Sequence, residues 1–267
     1  LDPHEDTDAG TRSVLFNVFE GLVKPTTDGD VTPAVASDYT ISDDAKTYTF
    51  TLRDGITFQD GNPVTVEDIK YSLERSAEMD GESSALSVIS DIKIVDDKTI
   101  ELTLSEANSE FIYNLTIAIL EQANDANQAT NPIGTGPYAL TSFDSKTKAT
   151  LVKNKYYWNG EVPYDNVEID FLSEDNKALA LQNGDINLVE NVTSTSDLDT
   201  LKKDDNFNVS IGQGVRTGFA YINEKGILGD DTLRQAVQMA LDHKTMCEVT
   251  VGGLYTEGIS VLPSSLA

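Results

Sequence analysis

The stretch from Tyr48 to Arg75, YTFTLRDGITFQDGNPVTVEDIKYSLER, limits the possible fold more than any other part of the chain. Tyr48, Phe50 and Leu52 alternate with Thr47, Thr49 and Thr51, the period of a strand with one buried face. Asp54-Gly55 and Asp60-Gly61-Asn62-Pro63 supply turn chemistry. Thr65 opens a capping box with Asp68 three residues on, and Val66, Ile69 and Leu73 share one helical face. The segment therefore reads as strand, turn, short extended piece, polar loop and capped helix. It carries no group that points to catalysis.

The rest of the chain repeats this mixture. A 3.6-residue stripe of Val14, Leu15, Val18, Phe19 and Leu22 predicts a helix over 11–23. Strands are expected near Tyr39, at 92–95 and at 99–104, the last two forming a hairpin around Asp96-Asp97-Lys98. Residues 110–120 read as helical, and the polar run 121–131 (EQANDANQATN) reads as an inter-domain connection. Beyond it, strands are expected at 138–143, 148–153, 167–171, 185–189, 207–211 and 219–222. Helices are expected from Ser173 through Gln182, stopped at Asn183-Gly184, and over 232–241. Interleaved strands and helices place the chain in the α/β or mixed α+β class. Its 267 residues suffice for two compact domains.

Charge narrows the partners. Nineteen Lys and Arg against forty-five Asp and Glu leave a formal net charge of −26, a field that repels nucleic-acid phosphates and anionic lipids. The acidic residues are scattered along the chain, as on a solvated surface. A single cysteine, Cys247, forms no internal disulfide, and no apolar run is long enough to span a membrane. Neither observation fixes the compartment.

The candidate chemistry is sparse. His243 and Cys247 lie four apart, a spacing that supplies two zinc ligands but no third or fourth, so no metal is expected. Gly134-Thr135-Gly136 echoes a phosphate-cradling loop, but Pro137 follows directly and no helix opens there, so it reads as a turn. Asp28-Gly29-Asp30 does not complete a calcium loop. No GxSxG, HExxH, P-loop or CxxC sequence occurs, and no catalytic residue or cofactor is expected. Carboxylate pairs are too common at this composition to locate a general acid and base. The aromatic run Tyr156-Tyr157-Trp158 suits a pocket lining or a core anchor.

Several strings, taken in order, resemble the family 5 solute-binding proteins of ABC importers, which capture oligopeptides, dipeptides and nickel complexes. They are LDPH (1–4), FEGLV (19–23), PAVASDYTISDDAKTYTFTLRDG (33–55), NPIGTGPY (131–138), NKYYWNG (154–160), ALQNGDINLV (180–189), YIN (221–223) and LRQAVQMALDHKTM (233–246). The resemblance implies a type II periplasmic-binding-protein-like lobe. A discontinuous first-lobe domain of residues 1–22 and 135–267 would surround an inserted α+β domain of residues 23–134. A second lobe would lie outside the chain, so residues 1–267 would bind peptides only very weakly.

The implied function is capture of peptides outside the membrane by closure of two lobes, without enzymatic chemistry. A nickel-complex or oligosaccharide receptor of the same fold is the alternative, and an acidic hydrolase a more distant one. The implied ligand contacts are edge-strand backbone at Thr7, Asp8 and Ala9, with Tyr221 and a cleft-facing Asn223. The implied partners are a peptide or nickel-complex ligand and the permease subunits of the transporter. The protein would be a monomer, periplasmic or lipid-anchored at the cell surface. Nickel-complex binders meet anionic chelators with arginines of the inserted domain. Here the two candidates, Arg53 and Arg75, both fall in structural motifs.

Overall fold

The strands fall into three separate antiparallel sheets in the computed structural model, which describes residues 1–5, 8–80, 84–212, 214, 217–250, 252–258 and 260. A two-stranded ribbon pairs β1 (Val23–Pro25) with β2 (Val31–Pro33). A four-stranded sheet contains β3 (Ala36–Ile41), β4 (Thr47–Leu52), β5 (Ile89–Ile94) and β6 (Thr99–Leu104), in the order β3-β4-β6-β5. A three-stranded sheet contains β7 (Tyr138–Asp144), β8 (Lys148–Lys153) and β9 (Asn166–Asp170). No ladder joins the two larger sheets.

The alternation in β4 sets the register. Tyr48 stands opposite Leu102 and Phe50 opposite Ile100, so both apolar rows face one side and all four side chains are buried. Helix α2 (Val66–Asp80) contributes Val66, Ile69 and Leu73 to the same core, with Phe58 and Phe111. The opposite sheet face carries Thr49, Thr51 and Glu101, as a solvated face should. A second core forms where α1 (Ala9–Val18) lays Val14, Leu15 and Val18 against Tyr138, Ala149 and Leu151.

The capping box at the start of α2 forms as the sequence requires. Thr65 Oγ1 donates to Asp68 Oδ2 at 2.6 Å and accepts from the Asp68 amide at 3.2 Å, while the Thr65 amide donates to Asp68 Oδ2 at 3.0 Å. Asp68 Oδ1 also accepts the Gln122 amide at 3.0 Å, which ties the 3₁₀ turn Gln122–Asn127 to the helix. Asp68→Ala therefore removes a cap and a long-range anchor together, and is expected to cost about 2 kcal/mol of stability, measured by urea unfolding. Asp68→Asn should cost less, because Asn also caps.

Contacts divide the chain into two compact units, Leu1–Phe171 and Leu172–Ala267. This division differs from the boundaries at 22/23 and 134/135 expected from the sequence. The physical reason lies in the first unit, where buried polar bonds tie its two cores together. Gln59 Nε2 donates to Val18 O at 2.8 Å and to Tyr138 O at 2.7 Å, and its Oε1 accepts the Gly134 amide. The Glu20 carboxylate, 8% exposed, accepts from Lys24 Nζ, Tyr157 Oη and Trp158 Nε1 at 3.1, 3.0 and 2.5 Å. Trp158 is packed on the first core, so the aromatic run serves as an anchor.

The second unit contains α3 (Glu174–Asn183), α4 (Thr195–Lys202) and α5 (Asp231–Ala240). Gly184 closes α3 at φ 79°, a left-handed conformation that an L side chain resists, as the Asn-Gly stop predicted. Glu174 begins α3, and its carboxyl is held down to about 2 by the Thr193 amide, then Lys177 and the Thr193 hydroxyl. The strands expected at 185–189, 207–211 and 219–222 are absent among the described residues. A strand exists only through a ladder partner, and these segments have none to pair with. Their apolar side chains stay exposed, Ile211 at 62% and Leu188 at 75%. No described residue of α5 is buried, although Leu233, Ala236, Val237 and Ala240 make a regular stripe. Residues 110–120, expected as helix, form only the 3₁₀ turn Phe111–Thr116.

Candidate functional site

Of the five residues singled out by resemblance, Thr7 lies outside the described residues. Asp8 and Ala9 do not form the expected edge strand. Asp8 is the N-cap of α1, with its side chain accepting the Thr11 amide at 3.0 Å, and Ala9 is the first helical residue. A short polar residue three positions before an amide donor favours capping, and a capped helix start offers no alternating ladder to a bound chain. The Thr11 hydroxyl and amide hold the Asp8 carboxyl below the usual aspartate range. Tyr221 and Asn223 belong to the second unit. Tyr221 is 88% exposed and meets Phe219 edge-on at 4.8 Å, and Asn223 Oδ1 accepts the Lys225 amide at 3.0 Å in an exposed turn.

Asp8 lines a hollow of about 330 Å³ in the first unit, together with Gly10, Thr11, Phe143, Ser145 and Phe171. Two local features shape it. Helix α1 brings Asp8, Gly10 and Thr11 to one side through its first turn. The hairpin β7–β8 and the end of β9 bring Phe143, Ser145 and Phe171 to the other. Phe143 and Phe171 pack edge to face at 5.9 Å, and both rest against the second core, which fixes their rings. Sequence reasoning found Asp8 but missed both rings. The alternation in β9 carried that signal for Phe171, in step with Val167 and Ile169. Phe143 is out of step with Tyr138 and Leu140 and faces the core only through the irregularity between Leu140 and Ser142.

The arginines of the segment 23–134 are engaged within the protein. Arg53 donates from Nε to Ala34 O at 3.0 Å and from Nη2 to Ala36 O at 3.2 Å, and its guanidinium stacks over the Trp158 ring at 3.8 Å. Arg75 holds Asp2 with both terminal nitrogens at 3.1 and 2.5 Å and Asp125 through Nε at 2.9 Å. Both therefore read as structural, in line with the sequence. Gly134-Thr135-Gly136 is a close backbone crossing: a Cβ at Gly134 would lie 2.2 Å from Val18 O, and one at Gly136 would lie 2.6 Å from Asn17 O. Among the described residues no group of three or more His, Cys, Asp and Glu could hold a metal ion. No described helix is long and apolar enough to cross a membrane.

Residues 30–267 match the profile described as "Bacterial extracellular solute-binding proteins, family 5 Middle". The probable D,D-dipeptide-binding periplasmic protein DdpA of Escherichia coli (strain K12) is 31% identical over 274 residues, covering 95% of this chain and 53% of that protein. The chain spans about half the length of the curated relatives it matches. Among solved structures, the periplasmic binding protein AgaA of A. tumefaciens R10 with agropinic acid superposes with a TM-score of 0.70 at 32% identity, over 76% of this chain and 44% of that one. The protein DppA of Helicobacter pylori, in complex with the peptide STSA, gives a TM-score of 0.83 at 24% identity over 99% of this chain and 58% of that one. The fold is that of periplasmic binding proteins.

Proposed function

Since the chain belongs to the bacterial extracellular solute-binding proteins of family 5, we propose that it captures peptides for an ABC importer. The observation that carries this reading is its match with DdpA, which is named for dipeptide binding and covers nearly the whole chain. In this reading the protein works outside the membrane as a monomer, periplasmic or lipid-anchored, and delivers solute to permease subunits without chemistry of its own. Asp8, Ala9, Tyr221 and Asn223, with Thr7, contact the ligand. Residues 23–134 are a domain inserted into a discontinuous first-lobe domain of 1–22 and 135–267. The buried members of the core under the four-stranded sheet all come from residues 22–119, which supports that partition. The engagement of Arg53 and Arg75 within the protein disfavours an anionic nickel chelate as ligand.

Ligand-dependent melting tests the reading. A ligand at about ten times its dissociation constant stabilises the native state by about 1.4 kcal/mol, or roughly 3 °C for a chain of this size. With the weak binding expected of residues 1–267, trialanine at roughly 10 mM or more is expected to raise the melting temperature by that amount, and nickel–histidine and maltotriose are expected to leave it unchanged. A rise with nickel–histidine alone would replace peptide with the metal complex as the ligand.

A further inference from the structure

We infer that Asn159 is a site of spontaneous deamidation, a covalent change that the structure leaves open at Asn159-Gly160 and blocks at Asn183-Gly184. This goes beyond the peptide reading and does not depend on it. The chain holds two Asn-Gly pairs, and these are they. They match in most respects. Both asparagines and both glycines are exposed, and the glycines share a left-handed backbone, with φ 84° at Gly160 and 79° at Gly184. A Cβ added at either glycine would meet nothing within 4 Å. The amides differ. The Gly184 amide closes α3 by donating to Leu181 O at 3.1 Å, and the Asp185 amide behind it donates to Ala180 O at 2.9 Å. Asn159 lies in a turn outside any helix or strand. Among the described residues, neither its side chain nor the Gly160 amide makes a hydrogen bond.

The chemistry turns on that amide. The Gly160 nitrogen gives its proton to hydroxide and bonds to Asn159 Cγ, an approach that a residue without Cβ does not obstruct. The Cγ–Nδ2 bond then breaks, and Nδ2 takes a proton from water and leaves as ammonia. Water opens the resulting five-membered succinimide at either carbonyl, giving aspartate or isoaspartate. The net reaction consumes one water and releases one ammonia, with no change of oxidation state. At Asn183 the same attack first requires the C-cap bonds to break and the last turn of α3 to unwind, so it proceeds only from a locally opened state. The product at position 159 carries a new carboxylate. Isoaspartate also adds a main-chain atom directly after Trp158, whose indole donates to Glu20.

The test is peptide mapping by mass spectrometry of the 267-residue chain aged at mildly alkaline pH, with one arm in buffer and one in guanidinium chloride. In buffer, Asn159 is expected to convert at least about tenfold faster than Asn183, because only Asn183 must first lose its native bonds. In guanidinium chloride neither amide keeps a native partner, and the two rates are expected to converge. Asn159→Gln demands a six-membered ring in place of the succinimide, so it should silence position 159 and leave the rate at Asn183 unchanged. The comparison of the two sites within the parent chain needs no variant. The inference fails if Asn183 converts as fast as Asn159 in buffer, if their ratio is the same in denaturant, or if Asn159 converts in denaturant but stays intact in buffer.

Discussion

Replacing Arg75 by alanine is expected to lower the unfolding free energy by about 3–5 kcal/mol, and the melting temperature by roughly 10 °C. The Asp2 side chain is 7% exposed and takes both terminal guanidinium nitrogens. Removing the guanidinium strips two charge-assisted bonds from a buried carboxylate and leaves its desolvation poorly offset. Lysine restores charge but not the planar fork, so Arg75→Lys should recover only part of the loss. The same pair gives the protein an acid limb. Burial pushes the Asp2 carboxyl up, but the Arg75 bonds and the His4 amide more than offset this and hold it below the ordinary aspartate value. Its folded pKa is therefore depressed. The stabilisation is complete above the unfolded value of about 3.9 and is lost as pH falls through the lower folded value. Urea midpoints of parent and Asp2→Asn should differ at pH 7 and converge below pH 4. A constant difference down to pH 2 would show that the pair does not titrate as described.

Gly134→Ala is expected to cost about 3 kcal/mol or more, at the upper end of what overpacking does. Its Cβ would sit 2.2 Å from Val18 O and 2.6 Å from Phe19 Cδ1. The Val18 oxygen cannot retreat, because it also accepts the Gly136 amide at 2.9 Å and Gln59 Nε2 at 2.8 Å. Gly29 makes a useful contrast. It has φ 85° with nothing within 4 Å of an added Cβ, so Gly29→Ala meets only backbone strain, about 1–2 kcal/mol. Equal losses at the two glycines in urea unfolding would remove close packing as the reason for the Gly134 sequence.

Much of the first unit was legible because its signals are local. The Thr-alternating run gave β4 and its buried face, the Thr65–Asp68 spacing gave the cap, and Asn183-Gly184 gave the stop of α3. The ties that merge the two cores were not legible. Gln59 reaches residues 41 and 79 positions away and Glu20 reaches Trp158 at 138, and no periodicity encodes such distances. The second unit shows the opposite failure. Residues 207–211 and 219–222 have the composition of strands, but composition does not supply a ladder partner. The site was half visible. Asp8 came from resemblance, but its backbone was read as a strand although a capping aspartate three residues before Thr11 is itself a helix-start signal. Phe143 and Phe171 read from sequence only as strand residues, because the hollow they share with Gly10 is a matter of tertiary placement.

The most direct test of the central claim, that this is a peptide receptor acting through Asp8, Ala9, Tyr221 and Asn223, is to map where peptide binds. Trialanine, nickel–histidine and maltotriose are each titrated into the 15N-labelled chain while the backbone amides are followed. The account predicts saturable shifts at Ala9 and Asn223 with trialanine and none there with the other two. Saturation of those amides by nickel–histidine, or peptide shifts confined to residues remote from both, would contradict it.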